Sequence, residues 1–132
     1  MVLVDTSVLL GYLKGEGGEA VERLEQILAA GIPYGISPLI YYEVLQGVRS
    51  EKECRRLKKY LNSMTFYGLR QERDSYAAAA LLYFKCRERG FTVRSSMDCL
   101  IAQTAIENGL LLLHRDRDFQ AIQKVASELK FY

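Results

Sequence analysis

Four acidic residues, Asp5, Glu43, Asp98 and Asp116, stand where a carboxylate is hard to explain as surface charge. Asp98 precedes Ile101, Ala102, Ala105 and Ile106 at i+3, i+4, i+7 and i+8, so it shares the apolar stripe of a helix. Glu43 lies mid-helix, in register with Ile40, Val44 and Gly47. Asp5 closes the apolar run Val2-Leu3-Val4, and Asp116 follows Leu110-Leu111-Leu112-Leu113. Carboxylates brought together repel and raise one another's pKa unless a cation sits among them. Oxygen donors without Cys or His suit Mg²⁺ or Mn²⁺, and such an ion is a standard device for hydrolysing phosphodiesters.

Each acid also has a simpler reading. Asp5 and Asp116 suit helix N-caps, with Asp118 the more natural cap for the last helix and so the lesser site candidate. Ser95-x-x-Asp98 has the spacing of a capping box. Glu43 can snorkel to an arginine. The only histidine, His114, follows a buried strand and reads as a satisfied structural residue, with catalysis as the alternative. Taken singly these readings are adequate; they do not explain why two acids should end strands while two others share buried helix faces.

The elements that must position these residues alternate between strand and helix. Val2–Val4 is short and β-branched, as in a buried parallel strand. Asp5-Thr6-Ser7 supplies capping side chains for a helix through Leu13, and Val21, Leu24, Ile27 and Leu28 mark a second, ended by Gly31 and Pro33. Tyr34-Gly35-Ile36 reads as a weak strand, and Ser37-Pro38 opens a helix to about Val48. Charged residues from Glu51 to Lys59 form a more exposed helix, and Met64–Tyr67 a short strand. Helical spacing from about Gln71 to Arg89 stops at Gly90. Ser95-Ser96 starts the next helix and Asn108-Gly109 ends it. Leu110–Leu113 reads as a central strand, followed by a helix from about Asp118 and a closing strand near Leu129–Phe131. The expected architecture is α/β, a parallel sheet covered on both faces and built as one domain over residues 1–132. In such sheets ligands bind beyond the carboxyl ends of the strands, where strand order reverses.

Composition narrows the remaining choices. The 132 residues are 49% apolar and 26% charged, which is ordinary for a globular domain and argues against disorder. A net charge of +2 is too small to argue for nucleic acid, so any basic surface must be local. Cys54, Cys86 and Cys99 have no paired spacing and read as reduced thiols. No basic stretch and apolar run of signal-peptide length opens the sequence, and no segment approaches a membrane span. The expectation is a cytoplasmic protein without a membrane partner.

Leu3-Val4-Asp5-Thr6-Ser7, Ser37-Pro38 leading to Glu43, Asp98-Cys99-Leu100-Ile101-Ala102, and Leu111-Leu112-Leu113-His114-Arg115-Asp116-Arg117-Asp118-Phe119 together resemble the PIN domain. More narrowly, they resemble the VapC-type toxins of bacterial and archaeal toxin–antitoxin pairs. The resemblance spans essentially the whole chain, with all four motifs in family order. It implies a three-layer α/β/α fold with a parallel sheet of four to five strands, and a Mg²⁺- or Mn²⁺-dependent endoribonuclease. Asp5, Glu43, Asp98 and Asp116 fall on the family's acidic positions and Thr6 or Ser7 on its active-site hydroxyl. Where many relatives carry Thr two residues before the last acid, this chain has His114. In the mechanism so implied, Asp5, Asp98 and Asp116 hold an ion, and Glu43 helps bind it or a second one. Arg94, Arg115 and Lys14 are candidates for phosphate contacts by nearness to the acids. The family further implies an RNA substrate, a homodimer and a small antitoxin over the active site, often inserting an arginine; Tyr41, Tyr42, Leu45 and Val48 are candidate contact surface.

Two other functions are compatible with parts of this pattern. A PIN-like module can bind RNA or protein without cleaving it, but unused convergent carboxylates only destabilise a fold. A phosphohydrolase can form an aspartyl-phosphate on a strand-end Asp, but such enzymes carry a second Asp two residues on, where this chain has Ser7.

Overall fold

The computed structural model describes residues 1–132. The elements in chain order are β1 (Val2–Val4), α1 (Thr6–Leu13), α2 (Glu19–Ala30), β2 (Tyr34–Ile36), α3 (Pro38–Gln46), α4 (Glu51–Leu61), β3 (Thr65–Phe66), α5 (Arg73–Glu88), α6 (Ser96–Glu107), β4 (Leu111–Leu113), α7 (Arg117–Val125) and β5 (Lys130–Phe131). Each expected strand and helix is present. The largest boundary shifts are at α3, which ends at Gln46 rather than Val48, at α4, which runs to Leu61 rather than Lys59, and at α5, which starts at Arg73 rather than Gln71.

The five strands form one sheet in the order β3-β2-β1-β4-β5, and all pairs are parallel. β1 is therefore the central strand, and β4 lies inside the sheet between β1 and β5. The chain first steps outward from β1 to β2 to β3, then crosses back to β4 and steps the other way. Right-handed crossovers consequently put α1–α4 on one face and α5–α7 on the other. Packing agrees: α1 contacts α2 and α3, and α3 contacts α4, while α5, α6 and α7 pack on each other. α3 also contacts α6, which brings together the helices carrying Glu43 and Asp98.

Val2, Leu3 and Val4 are all buried, as a central strand covered on both sides requires. They join a core cluster of 26 buried residues that includes Ile36, Ile40, Ile101, Leu112, Leu113, Phe119 and Ile122. Gly35 is dictated by its neighbours, since a Cβ there would lie 2.3 Å from the Thr65 carbonyl oxygen and 2.7 Å from the Tyr67 ring. Cys54, Cys86 and Cys99 are all free, and burial pushes the Cys99 thiol up to about 12. No helix is long and apolar enough to cross a membrane.

Candidate active site

The direction of the chain reverses between β1 and β4, and the residues after these strands are the acids and their neighbours. Asp5 follows β1, caps α1 and is 4% exposed. Its Oδ2 accepts hydrogen bonds from the Ser7 backbone N–H and hydroxyl. Burial raises its carboxyl to about 6 against the partly compensating Ser7 bonds. Thr6 donates its hydroxyl to Glu43 Oε1 at 2.8 Å, so the two hydroxyls singled out in the sequence serve different acids. Glu43 is half-buried. Its register neighbours Ile40 and Val44 are buried but Gly47 is exposed, so Glu43 sits at the margin of the buried face.

Asp98 is buried on α6, and the capping-box reading fails. Ser95 caps the helix by accepting from the Met97 N–H, and the Asp98 carboxylate neither donates nor accepts in this cap. Burial first, then the charges of Asp5, Asp116, Glu43 and Asp118, push Asp98 up to about 7. These five acids therefore form one electrostatic cluster around a carboxylate that accepts no hydrogen bond. Like charges raise a carboxyl in this way, and a cation among them would oppose the rise.

The caps of α7 reverse the expectation. Asp116 is the N-cap, its Oδ1 accepting from the Asp118 N–H at 3.0 Å. Asp118 is not a cap; it is 4% exposed and lies with Asp98 and Asp116. Asp98, Asp116 and Asp118 each offer an oxygen within 4.8 Å of the others, close enough to share one ion. Asp5 and Glu43 are not in that group. The signal for Asp118 was the Asp-x-Asp spacing after β4, but two adjacent capping residues compete and local propensity alone does not rank them.

Of the three candidate phosphate contacts, one reaches the acids. Arg94 donates its backbone N–H (3.1 Å) and Nε (3.0 Å) to Asp118 Oδ2, and Nη2 (2.9 Å) to Asp116 Oδ1. Arg115 is instead paired with Glu16 at 2.7 Å, and its guanidinium lies against Gly11, where a Cβ would be 2.9 Å away. Lys14 lines a groove between α1, α3 and α4. His114 packs against Phe131 (4.3 Å between centroids) and Phe119 (5.1 Å). Its Nδ1 accepts from the Asp116 N–H at 3.1 Å, and burial lowers its pKa. This is the satisfied structural histidine, and the ring fixes the loop that carries Asp116.

The molecule is an α/β protein whose open parallel sheet gathers, at its switch point, carboxylates able to share a cation. The chain belongs to the PIN domain family, matching it over residues 2–125, and it is a homologue of the VapC ribonucleases. It is 31% identical to VapC ribonuclease Mb1587 of Mycobacterium bovis, covering 96% of this chain and 95% of the relative. It is 33% identical to ribonuclease VapC4 of Mycobacterium tuberculosis, covering 93% and 92%. Among solved structures, VapBC2 from Rickettsia felis, bound to a promoter DNA fragment, matches with a TM-score of 0.73 at 16% identity, covering 100% of this chain and 98% of that one. FitAcB from Neisseria gonorrhoeae matches with a TM-score of 0.70 at 18% identity, covering 100% and 96%. At these identities the structural matches speak to the fold.

Proposed function

We propose that this chain is a Mg²⁺- or Mn²⁺-dependent endoribonuclease and the toxin of a toxin–antitoxin pair. The observation that carries the reading is Asp98: buried, without a hydrogen-bond donor, ringed by four further acids, and within 4.8 Å of Asp116 and Asp118. The donor set is all oxygen, which fits a hard divalent ion. An ion held there supplies Lewis acidity, activating water and offsetting charge on the leaving oxygen. Asp98, Asp116 and Asp118 would hold it, and Asp5 and Glu43 extend the acidic surface toward α1 and α3. Ser7 and Thr6 hold those two carboxylates in orientation through their hydroxyls. Asp5 and Asp116 are N-caps just beyond β1 and β4, and Glu43, Asp98 and Asp118 stand on helices, so packed elements and the short segments joining them set the spacing. The test is cleavage of total RNA by the purified chain with Mn²⁺, with EDTA and with Asp98→Asn. Sequencing the RNA ends then identifies the substrate; cleavage that survives EDTA sinks the reading.

The antitoxin part draws on the matched structures, which include a toxin–antitoxin complex from Klebsiella pneumoniae at 23% identity and a TM-score of 0.68. The groove between α1, α3 and α4, of about 680 Å³, is lined by Leu10, Leu13, Val44 and Leu57 with Lys14, Lys52 and Arg56. It suits a helix with an apolar face and acidic flanks. Of the contact surface expected from sequence, Val48 lines this groove and Tyr42 is 61% exposed. Tyr41 and Leu45 instead pack on the core, Tyr41 edge-on to Phe66. Exposed Tyr76, Leu81 and Phe84 on α5 give a second copy of the chain an apolar face. Copurification with a candidate antitoxin coexpressed with this chain, and its loss in Leu57→Glu, test the groove.

A further inference from the structure

Arg94 is the one cation hydrogen-bonded into the acidic cluster, and the manner of its attachment is specific. Its side chain is 61% exposed, yet it is anchored at three points, one of them through its own backbone N–H. The guanidinium spans two carboxylates and takes one oxygen from each, Oδ1 of Asp116 and Oδ2 of Asp118. Oδ2 of Asp116 and Oδ1 of Asp118 receive no donor. Each carboxylate is thus divided between a fixed cation on one side and a free oxygen on the other, while Asp98 is left wholly free. In two-ion phosphodiesterases, bridging carboxylates hold cations roughly 3.5–4 Å apart. Here the bridging place between Asp116 and Asp118 is filled by a planar cation whose fork matches carboxylate geometry.

We propose that the Arg94 guanidinium is a built-in second cation, bridging Asp116 and Asp118 where another metal ion would otherwise sit, so that the chain takes one divalent ion. The inference rests on the nuclease reading above. Arg94 is a positioning residue: it sets the orientation of Asp116 and Asp118 and removes part of their repulsion, leaving the ion to Asp98 and the free oxygens. A second ion would have to displace it, breaking charge-assisted bonds to both acids, or lie beside it against like charge. The buried Val93 and the Arg94 backbone N–H bond to Asp118 fix the start of that side chain beside the two acids.

The experiment is Mn²⁺ titration of the full chain at neutral pH, followed by calorimetry and by the EPR signal of free Mn²⁺. The wild type is expected to bind one ion. Arg94→Ala and Arg94→Gln, which lack the charge, are expected to bind two, the first roughly tenfold more tightly than in the wild type. Arg94→Lys, which keeps the charge, is expected to return to one. Two ions on the wild type, or one on Arg94→Ala with its fold intact by circular dichroism, overturns the inference and leaves the nuclease reading standing. No Mn²⁺ bound by the wild type overturns both.

Discussion

The two flanks of the acidic cluster are held by different chemistry. On the β1 side, Asp5 and Glu43 are gripped by the hydroxyls of Ser7 and Thr6. On the β4 side, Asp116 and Asp118 are gripped by a guanidinium. A hydroxyl orients a carboxylate and leaves its charge in place; a guanidinium does both jobs at once. Asp98 lies between the flanks with neither, and it is the acid pushed highest, to about 7. The flanks together teach that hydrogen bonds orient four of the five acids, while Asp98 is left with neither a donor nor a cation.

Removing the middle of the comparison has the largest effect. Asp98→Asn is expected to lower metal-dependent RNA cleavage at least about 100-fold, while raising the Tm of the metal-free protein at pH 7.5, because an ionised acid leaves a site crowded with like charge. A lowered Tm there would show that Asp98 is stabilising and the comparison mistaken.

Next is pH. Asp5 and Asp98 titrate at about 6 and about 7 in the fold against an ordinary 3.8. Raised carboxyls stabilise by holding protons, so their contribution is complete below pH 3.8 and is lost as pH rises through 6 and 7. Mn²⁺ needs the ionised forms. The gap in Tm between Mn²⁺-loaded and EDTA-treated protein should therefore widen from pH 5.5 to pH 8. At free Mn²⁺ about 100 times Kd the ion contributes about 2.7 kcal/mol. A gap independent of pH would separate the ion from these acids.

Smaller effects sharpen the hydroxyl flank. Ser7→Ala removes the hydroxyl bond that helps hold Asp5 down and leaves the backbone bond in place, so the acid limb of the pH–rate profile should move to higher pH. Thr6→Val should cost about 1 kcal/mol in urea unfolding and reduce cleavage severalfold without moving that limb. The smallest effect belongs outside both flanks: Arg115→Ala breaks only a surface pair with Glu16 and should change stability by less than about 1 kcal/mol. A drop in RNA affinity with a shallower salt slope would make Arg115 a phosphate contact.

The sequence discloses elements and topology well, for reasons visible in single residues. Val2–Val4 and Leu110–Leu113 are short continuous apolar runs that suit strands of a covered parallel sheet, although Leu111 is left partly exposed, and the acid after each lies beyond its carboxyl end. Asp98 betrays itself by register, since Ile101, Ala102 and Ala105 share its side of the helix and are buried. What stays hidden depends on contacts distant in sequence. Thr6 meets Glu43 across 37 residues, and Arg94 meets Asp118 across 24. Without that second contact, Asp118 looks like a cap and Arg94 is indistinguishable from Arg115 and Lys14. Nearness along the chain ranks such residues poorly, because the partner is chosen by where a loop returns to the sheet edge.

The unrelieved charge at Asp98 also bears on inheritance. A chain that keeps repulsion in its working centre is easier to disarm than to unfold, because the exchange of one acid for its amide silences it and leaves a sturdier protein. Cells under pressure to escape the activity are expected to accumulate such amide variants as well-expressed proteins, which would still occupy the antitoxin proposed for the α1–α3–α4 groove. Silent copies of this kind would then draw that antitoxin away from active ones, making an inactivated gene a hazard to its active siblings.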